Sequence, residues 1–176
     1  PSIVELDNGT LMCLFFTHAN WYGYEDIPPG QNPMSRVGAI KSSDGGKTWQ
    51  ENVTWLPTRF PKYERLYAGI KKMPDGSVLV VSYACNTCNG IGLKAPVYRC
   101  NPQGHNWQCV SVLESCHYEL DEPALAVLPN ARLMMIARPD GVLSFSDDQG
   151  KTWRDPRPFG MRMYAPVLLT LRDGTI

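Results

Sequence analysis

Two charged side chains bound an apolar stretch of the sequence and are the first candidates for chemistry. Glu122 stands directly before Pro123, and Arg138 closes the apolar run that follows. A planar guanidinium binds a carboxylate through two parallel charge-assisted hydrogen bonds, which a lysine cannot reproduce. Because a carboxylate and a guanidinium at the two ends of an apolar hairpin are costly unless they are used, we predict a site that recognises an acidic group.

Simpler interpretations of both residues stay open at this point. Proline holds the residue before it extended, so Glu122 can also be a solvated charge at the start of a strand. The segment 138–141 can also be a polar turn between two strands.

The elements that would position this pair are organised around the motif Ser-x-Asp-x-Gly-x-Thr-Trp, which occurs twice and is called the box below. Its aspartate can accept backbone N–H bonds across a turn, its glycine supplies a positive φ, and its tryptophan packs beneath. We therefore predict a structural hairpin turn and not an active site. A degenerate third copy, residues 100–107, keeps the glycine and the tryptophan but lacks the aspartate. The two full copies consist of Ser42, Asp44, Gly46, Thr48 and Trp49, and of Ser146, Asp148, Gly150, Thr152 and Trp153.

A second signal, an Asn/Asp-Gly type turn before an apolar strand, precedes each box, and the two signals together repeat about every 50 residues. This pattern predicts an all-β fold, a β-propeller built from four-stranded antiparallel blades with few helices. The predicted blades span residues 1–62, 63–118 and 119–160, and a further blade starts at 161–176. Because three blades cannot close a ring, we expect the remaining blades of the propeller to lie outside this stretch or in another chain.

Composition excludes several classes of partner. The 176 residues include 17 basic and 17 acidic ones, so charge gives no reason to expect nucleic acid, and no apolar run is long enough to span a membrane. Cys85 and Cys88 raise the possibility of a metal site, but no second such pair accompanies them, which favours a disulfide or thiols. We predict no metal and no cofactor. The cysteines and the acceptor sequons at Asn8 and Asn52 favour a secreted or extracytoplasmic location, although such sequons arise readily by chance and Asn8 is better explained by its role in the turn.

With the boxes, the hairpin turns and the segment 122–138 in view, the chain resembles the sialidase (neuraminidase) superfamily over essentially all of its length. In bacterial sialidases a blade opens with a glutamate that pairs with the nucleophilic tyrosine, and its second strand ends with one of three arginines that grip the sugar carboxylate. The resemblance implies that Glu122 is the base and Arg138 a carboxylate ligand. A tyrosine nucleophile, with a free pKa near 10, needs such an adjacent carboxylate to take its proton.

The resemblance also implies where the other catalytic groups belong. The acid/base aspartate of the family lies in the loop after the second strand, where Asp26 is the best match and Glu25 the second. The first arginine of the three is expected before Pro1, and the third arginine and the nucleophilic tyrosine after Ile176. Tyr164 comes too early for that role and is interpreted as a packing or channel-wall residue.

The resemblance thus implies a six-bladed propeller enzyme that removes a terminal sialic acid from a glycan by retaining hydrolysis, without metal or organic cofactor. Its partners would be the glycan or glycoconjugate substrate and the remaining blades of the propeller. Two alternatives stay open, because boxes occur on propellers of other activities. One is another glycosidase or lyase on the same fold, and the other is a non-catalytic propeller that binds a glycan or a protein.

Overall fold

The computed structural model describes residues 2–18, 35–60, 62–86, 92–171 and 173–176. Within these ranges every regular element is a β-strand, and the strands form three four-stranded antiparallel sheets and one two-stranded sheet. No helix able to cross a membrane occurs in this described part of the chain.

The first sheet follows the order of the chain, and the box connects its third strand to its fourth. Alternate residues of the second strand, Met12 and Leu14, are fully buried, as expected for a strand with one face on a core. The sheet consists of β1 (Ser2–Glu5), β2 (Leu11–His18), β3 (Ser35–Ser42) and β4 (Thr54–Trp55).

The middle segment supplies the second four-stranded sheet and the small two-stranded one. Its strands are β5 (Tyr63–Arg65), β6 (Ile70–Lys72), β7 (Val78–Val81), β8 (Tyr83–Cys85), β9 (Ala95–Cys100) and β10 (Gln108–Leu113). The larger sheet has the order β6-β7-β9-β10, and β8, which continues β7 beyond Ser82, pairs with β5. The segment thus forms a blade whose second strand is interrupted at one residue.

The third sheet again follows the order of the chain, with β11 (Asp121–Val127), β12 (Leu133–Arg138), β13 (Val142–Ser146) and β14 (Arg157–Pro158). The first strands of the three sheets lie side by side, since β6 contacts both β1 and β11 and Ala68 forms a parallel bridge with Ala124. Innermost strands of neighbouring propeller blades meet in this way. The predicted all-β fold of four-stranded antiparallel blades is confirmed.

Strand β7 shows how the blades pack on one another. Val78 and Val80 belong to a core shared with the first sheet, while Leu79 and Val81 belong to a core shared with the third sheet. All four side chains are fully buried, because successive residues of a strand point to opposite faces and both faces are covered. The continuous apolar run in the sequence reflects this double burial.

One ionisable side chain, Glu64 of β5, is fully buried beside the first of these cores. Its carboxylate accepts hydrogen bonds from the hydroxyls of Ser82 and Tyr98, each at 2.6 Å, and from the hydroxyl of Thr58. Burial raises the pKa of Glu64, and these three donors oppose the increase. Nothing in the sequence around Glu64 marks this residue as buried.

Both full boxes form turns with the same hydrogen bonds. Asp44 accepts from the backbone N–H of Thr48 at 2.9 Å and from its hydroxyl at 2.6 Å, and Asp148 does the same with Thr152 at 2.8 and 2.6 Å. The threonine hydroxyl bonds are the first cause that lowers the pKa of each aspartate to about 2. Each tryptophan indole N–H donates to the box glycine carbonyl at 3.2 Å.

The predicted start of a fourth blade forms its turn but no strand in the described ranges 161–171 and 173–176. The bonds from Leu171 N to Thr175 O at 2.8 Å and from Gly174 N to Leu171 O at 3.0 Å repeat those of the first hairpin turn. The chain before this turn contacts the third blade, because Thr170 Oγ1 donates to Val127 O at 3.1 Å. The turn chemistry is therefore local, whereas a strand requires a paired neighbour.

Candidate functional site

The structure brings Glu122 and Arg138 together at one end of the β11–β12 hairpin. Arg138 Nε donates to Glu122 Oε2 at 2.7 Å. A second carboxylate, which the sequence analysis missed, completes the arrangement, since Arg138 Nη2 lies 2.6 Å from Asp121 Oδ2. One guanidinium thus lies between two consecutive carboxylates.

A β-bulge explains how two adjacent residues reach the same partner. Successive side chains of a regular strand point to opposite faces, so Asp121 and Glu122 should diverge. The pairing of β11 with β12 shifts register between Asp121 and Ala124, and Glu122 has a φ of 42°. A non-glycine residue in this left-handed region costs on the order of 1–3 kcal/mol, and such residues cluster at functional sites.

The three charged groups are partly shielded from water and perturb one another. The side chains of Arg138, Glu122 and Asp121 are 26%, 22% and 15% exposed. Burial raises the pKa of Asp121, against the opposing charge of Arg138. Burial alone would lower the pKa of Arg138, but the hydrogen bond to Glu122 and the charge of Asp121 outweigh it and raise that pKa.

Two tyrosine side chains, Tyr83 and Tyr164, lie near this cluster. Burial, followed by the neighbouring Tyr63 and Asp121, raises the pKa of Tyr83, whose ring packs edge-on against Tyr63 with centroids 6.3 Å apart. Tyr164 is exposed, and its ring centroid lies 6.0 Å from the guanidinium carbon of Arg138. Its interpretation as a packing or channel-wall residue stays a prediction.

The arrangement leaves Arg138 able to bind a ligand. A guanidinium has five N–H donors, and Glu122 and Asp121 occupy one donor each, on Nε and Nη2. Nη1 of Arg138 donates to no described residue, and one N–H of Nη1 together with the second N–H of Nη2 forms an edge that suits a bidentate carboxylate. Asp121 and Glu122 supply carboxylate oxygens that can accept a proton.

The boxes lie at the other end of the strands. Leu133, at the start of β12, pairs with Ser146 of the second box, whereas Arg138 ends β12. With a rise of about 3.3 Å per residue, a six-residue strand separates the box from the candidate site by roughly 16 Å. The box residues therefore do not contribute side chains to this cluster.

Three residues of the predicted acid and cysteine sites lie outside the described part of the chain. Asp26 and Glu25, the candidates for the acid, lie outside the described residues, and so does Cys88 of the Cys-x-x-Cys segment. In the part of the chain that is described, no three histidine, cysteine, aspartate or glutamate side chains are grouped as a metal site would require.

Comparison with known families places the chain. Residues 1–176 match the family described as a BNR repeat-like domain. The chain belongs to this family. No curated protein matches the sequence.

Two solved structures superpose on this chain. A protein of unknown function from Dyadobacter fermentans superposes with a TM-score of 0.79 at 17% identity, over 97% of this chain and 53% of that one. An α-L-arabinanase of Penicillium chrysogenum, complexed with arabinobiose, superposes with a TM-score of 0.63 at 18% identity, over 93% of this chain and 49% of that one. The chain spans about half the length of either structure, and at such identities the likeness concerns the fold.

Proposed function

We propose that this protein is a glycoside hydrolase of the sialidase type, which removes a terminal sialic acid from glycans by a retaining mechanism with a tyrosine nucleophile. The observation that carries the proposal is the pairing of Arg138 with Glu122, at 2.7 Å, on the end of the hairpin away from the boxes. Membership of the BNR repeat-like family and a fold shared with an arabinanase that holds a disaccharide support a carbohydrate substrate.

In this mechanism Arg138 orients the substrate. Asp121 and Glu122 hold the guanidinium from two sides, so that its free Nη1–Nη2 edge is pre-organised for the carboxylate of the sugar. Because the Arg138 side chain is already ordered, substrate binding costs less conformational entropy. Asp121 acts here as a positioning residue.

Glu122 serves as the base. Its Oε2 accepts from Arg138, and Oε1 accepts no hydrogen bond among the described residues, so Oε1 can receive the tyrosine proton. The tyrosine oxygen bonds to the anomeric carbon as its proton passes to Glu122, while the leaving glycan oxygen takes a proton from the acid, for which Asp26 is the candidate. Water then displaces the tyrosine, gives a proton to Asp26, and Glu122 returns its proton to the tyrosine.

The choice of a tyrosine follows from the charge of the substrate. The anomeric carbon of a sialoside already bears a carboxylate, and a neutral nucleophile avoids the repulsion that an aspartate or glutamate would meet.

One observation favours a second candidate, a glycosidase that acts on a neutral sugar. Two carboxylates and one guanidinium give the cluster a formal charge of −1, which does not by itself attract an anionic sugar. Most glycosidases use a pair of carboxylates on uncharged substrates. Further arginines in the site, as sialidases have, would be needed to reverse this charge.

The experiment compares two fluorogenic substrates, a sialoside and an arabinoside, with full-length protein. Arg138→Lys keeps the positive charge but removes one of the two parallel hydrogen bonds that the guanidinium would donate to the sugar carboxylate. A hydrogen bond to a charged group is worth about 1.5–3 kcal/mol, so kcat/KM for the sialoside should fall roughly 10- to 150-fold. Arg132→Lys is the matched control, because Arg132 forms an ion pair with Asp147 at 3.1 Å beside the box end of β12.

The outcomes separate the candidates. Turnover of the sialoside that is lost in Arg138→Lys and kept in Arg132→Lys supports the sialidase. Turnover of the arabinoside alone supports the neutral-sugar enzyme. Sialoside turnover that is unchanged in Arg138→Lys removes Arg138 from the site.

A further inference from the structure

A second candidate site lies at the opposite end of the sheets, between the first box and the degenerate box at residues 100–107. It is an open groove of about 490 Å³. Small-molecule sites typically measure ~300–1,000 Å³, so a groove of this size has room for a sugar ring. The side chains that matter for recognition are Asn8, Lys41, Trp49, Gln50, Gln103 and His105.

The ammonium of Lys41 is the charged group of this groove. Lys41 is only 8% exposed, although it carries a charge. Its Nζ donates to the carbonyl oxygen of Gln103 at 2.7 Å and lies 3.2 Å from Nε2 of His105. Within the described ranges no carboxylate lies within 4 Å of this nitrogen.

Among the described residues, this ammonium has no carboxylate as a counterion. Burial lowers the pKa of Lys41, which reflects the cost of a charge that no carboxylate balances. An ammonium has three N–H donors, of which the Gln103 carbonyl takes one, and the His105 ring, whose Nε2 and Nδ1 lie 3.2 and 3.4 Å from Nζ, can take a second. The third donor is available to an anionic ligand, whose charge would supply the missing counterion.

The other walls of the groove suit a saccharide. The indole N–H of Trp49 is already bonded to Gly46 O at 3.2 Å, so the part of the ring that lines the groove is an apolar surface. Sugar rings pack their C–H faces on surfaces of this kind. Asn8 Oδ1 accepts from Thr10 N at 3.1 Å, which leaves the amide N–H groups of Asn8 for sugar hydroxyls. Gln50 adds a second exposed amide.

We propose that this groove binds an acidic saccharide, a sugar ring that carries a carboxylate or a sulfate, with the ammonium of Lys41 on the acidic group. The site is separate from Arg138, and the proposal does not depend on the reaction at that residue.

The second full box shows that the groove is not a general property of the motif. The position before its first serine holds Phe145 in place of Lys41, and the guanidinium of Arg132 covers that ring at 4.5 Å. The surface there is lined by Asp147 and Arg154, and Asp147 is ion-paired with Arg132 at 3.1 Å and with Arg154 at 2.8 Å, so the cations at this box already have a counterion. The proposed site therefore belongs to the first box alone.

The test is a calorimetric titration of full-length protein at low salt with glucuronic acid, glucose 6-sulfate, glucose and inorganic sulfate. We expect either acidic sugar to bind at least tenfold more tightly than glucose and than inorganic sulfate. Lys41→Met should abolish this preference, and Lys151→Met, which removes the exposed lysine of the second box, should leave it unchanged.

A second variant keeps the test valid if Lys41→Met fails to fold. Asn8→Asp alters an exposed residue and retains the oxygen that accepts from Thr10, but it adds a negative charge to the groove and should weaken acidic-sugar binding at least fivefold. Equal binding of glucose and glucuronic acid would overturn the proposal, and so would full affinity in both variants. Inorganic sulfate that binds as tightly as the sugar sulfate would refute the saccharide part.

Discussion

Replacement of Glu64 by alanine tests how the buried hydrogen-bond network joins the first two blades. The substitution removes the acceptor of three hydroxyls, and Ser82 and Tyr98 have no access to water. Each buried donor left without a partner costs about 1–3 kcal/mol. Thr58 is half-buried, so its hydroxyl can turn to water, and burial of the carboxylate is itself unfavourable. We therefore expect Glu64→Ala to lower the free energy of unfolding by roughly 3–5 kcal/mol. A loss of this size is a large part of the ~5–15 kcal/mol by which domains are stable.

The assay is urea unfolding of full-length protein, monitored by tryptophan fluorescence, with Glu64→Gln as the matched variant. Glutamine retains the shape of the side chain and one carbonyl oxygen that can accept a hydrogen bond. The loss of unfolding free energy in Glu64→Gln should therefore be smaller, about 1–2 kcal/mol. Because burial raises the folded pKa of Glu64 above its unfolded value, the carboxyl contributes stability that is fully present below the unfolded pKa and is lost as pH rises through the folded pKa. The difference between wild type and Glu64→Gln should therefore be larger at pH 4 than at pH 8. Wild-type stability in Glu64→Ala, or equal losses in both variants, would refute the role assigned to this network.

Three further predictions concern the turns and the core. Asp44→Asn and Asp148→Asn should each lower stability at pH 7. Because the folded pKa values of both aspartates lie near 2, the difference in stability from wild type should vanish as pH falls from about 4 to 2. Acid unfolding measures this difference. Leu125→Ala opens a cavity between the second and third blades and should cost about 2–5 kcal/mol in urea unfolding, and a loss below 1 kcal/mol would contradict the burial seen here. Gly69→Ala places a methyl group 2.3 Å from the carbonyl oxygen of Val81 and should cost at least ~1–3 kcal/mol, with a lowered Tm as the readout.

The parts of the fold that could be predicted are those that neighbouring residues determine. The box turn depends on bonds between Asp44 and Thr48, four positions apart, so its chemistry is visible in any copy of the motif. The hairpin turns and the apolar strands are local in the same sense, and together they identify the blades. Arg138 and Glu122 could be predicted as a pair because both bound one hairpin.

The remaining features depend on long-range contacts or on irregular backbone. Asp121 was missed because a regular strand would direct it away from Arg138, and only the bulge at Glu122 turns it back. In the sequence Glu64 resembles an ordinary solvated charge. Its buried carboxylate accepts a hydrogen bond from Tyr98, which lies in a different strand. Lys41 likewise meets Gln103 across two blades. No spacing rule in the sequence connects these residues.

The close approach of Ala68 and Ala124 has a consequence for the contact between neighbouring sheets. Ala68, just before β6, bridges Ala124 of β11, and Ala124 is fully buried. A bulkier side chain at position 124 would have to displace the neighbouring strand, so a single methyl group limits how closely these two sheets approach.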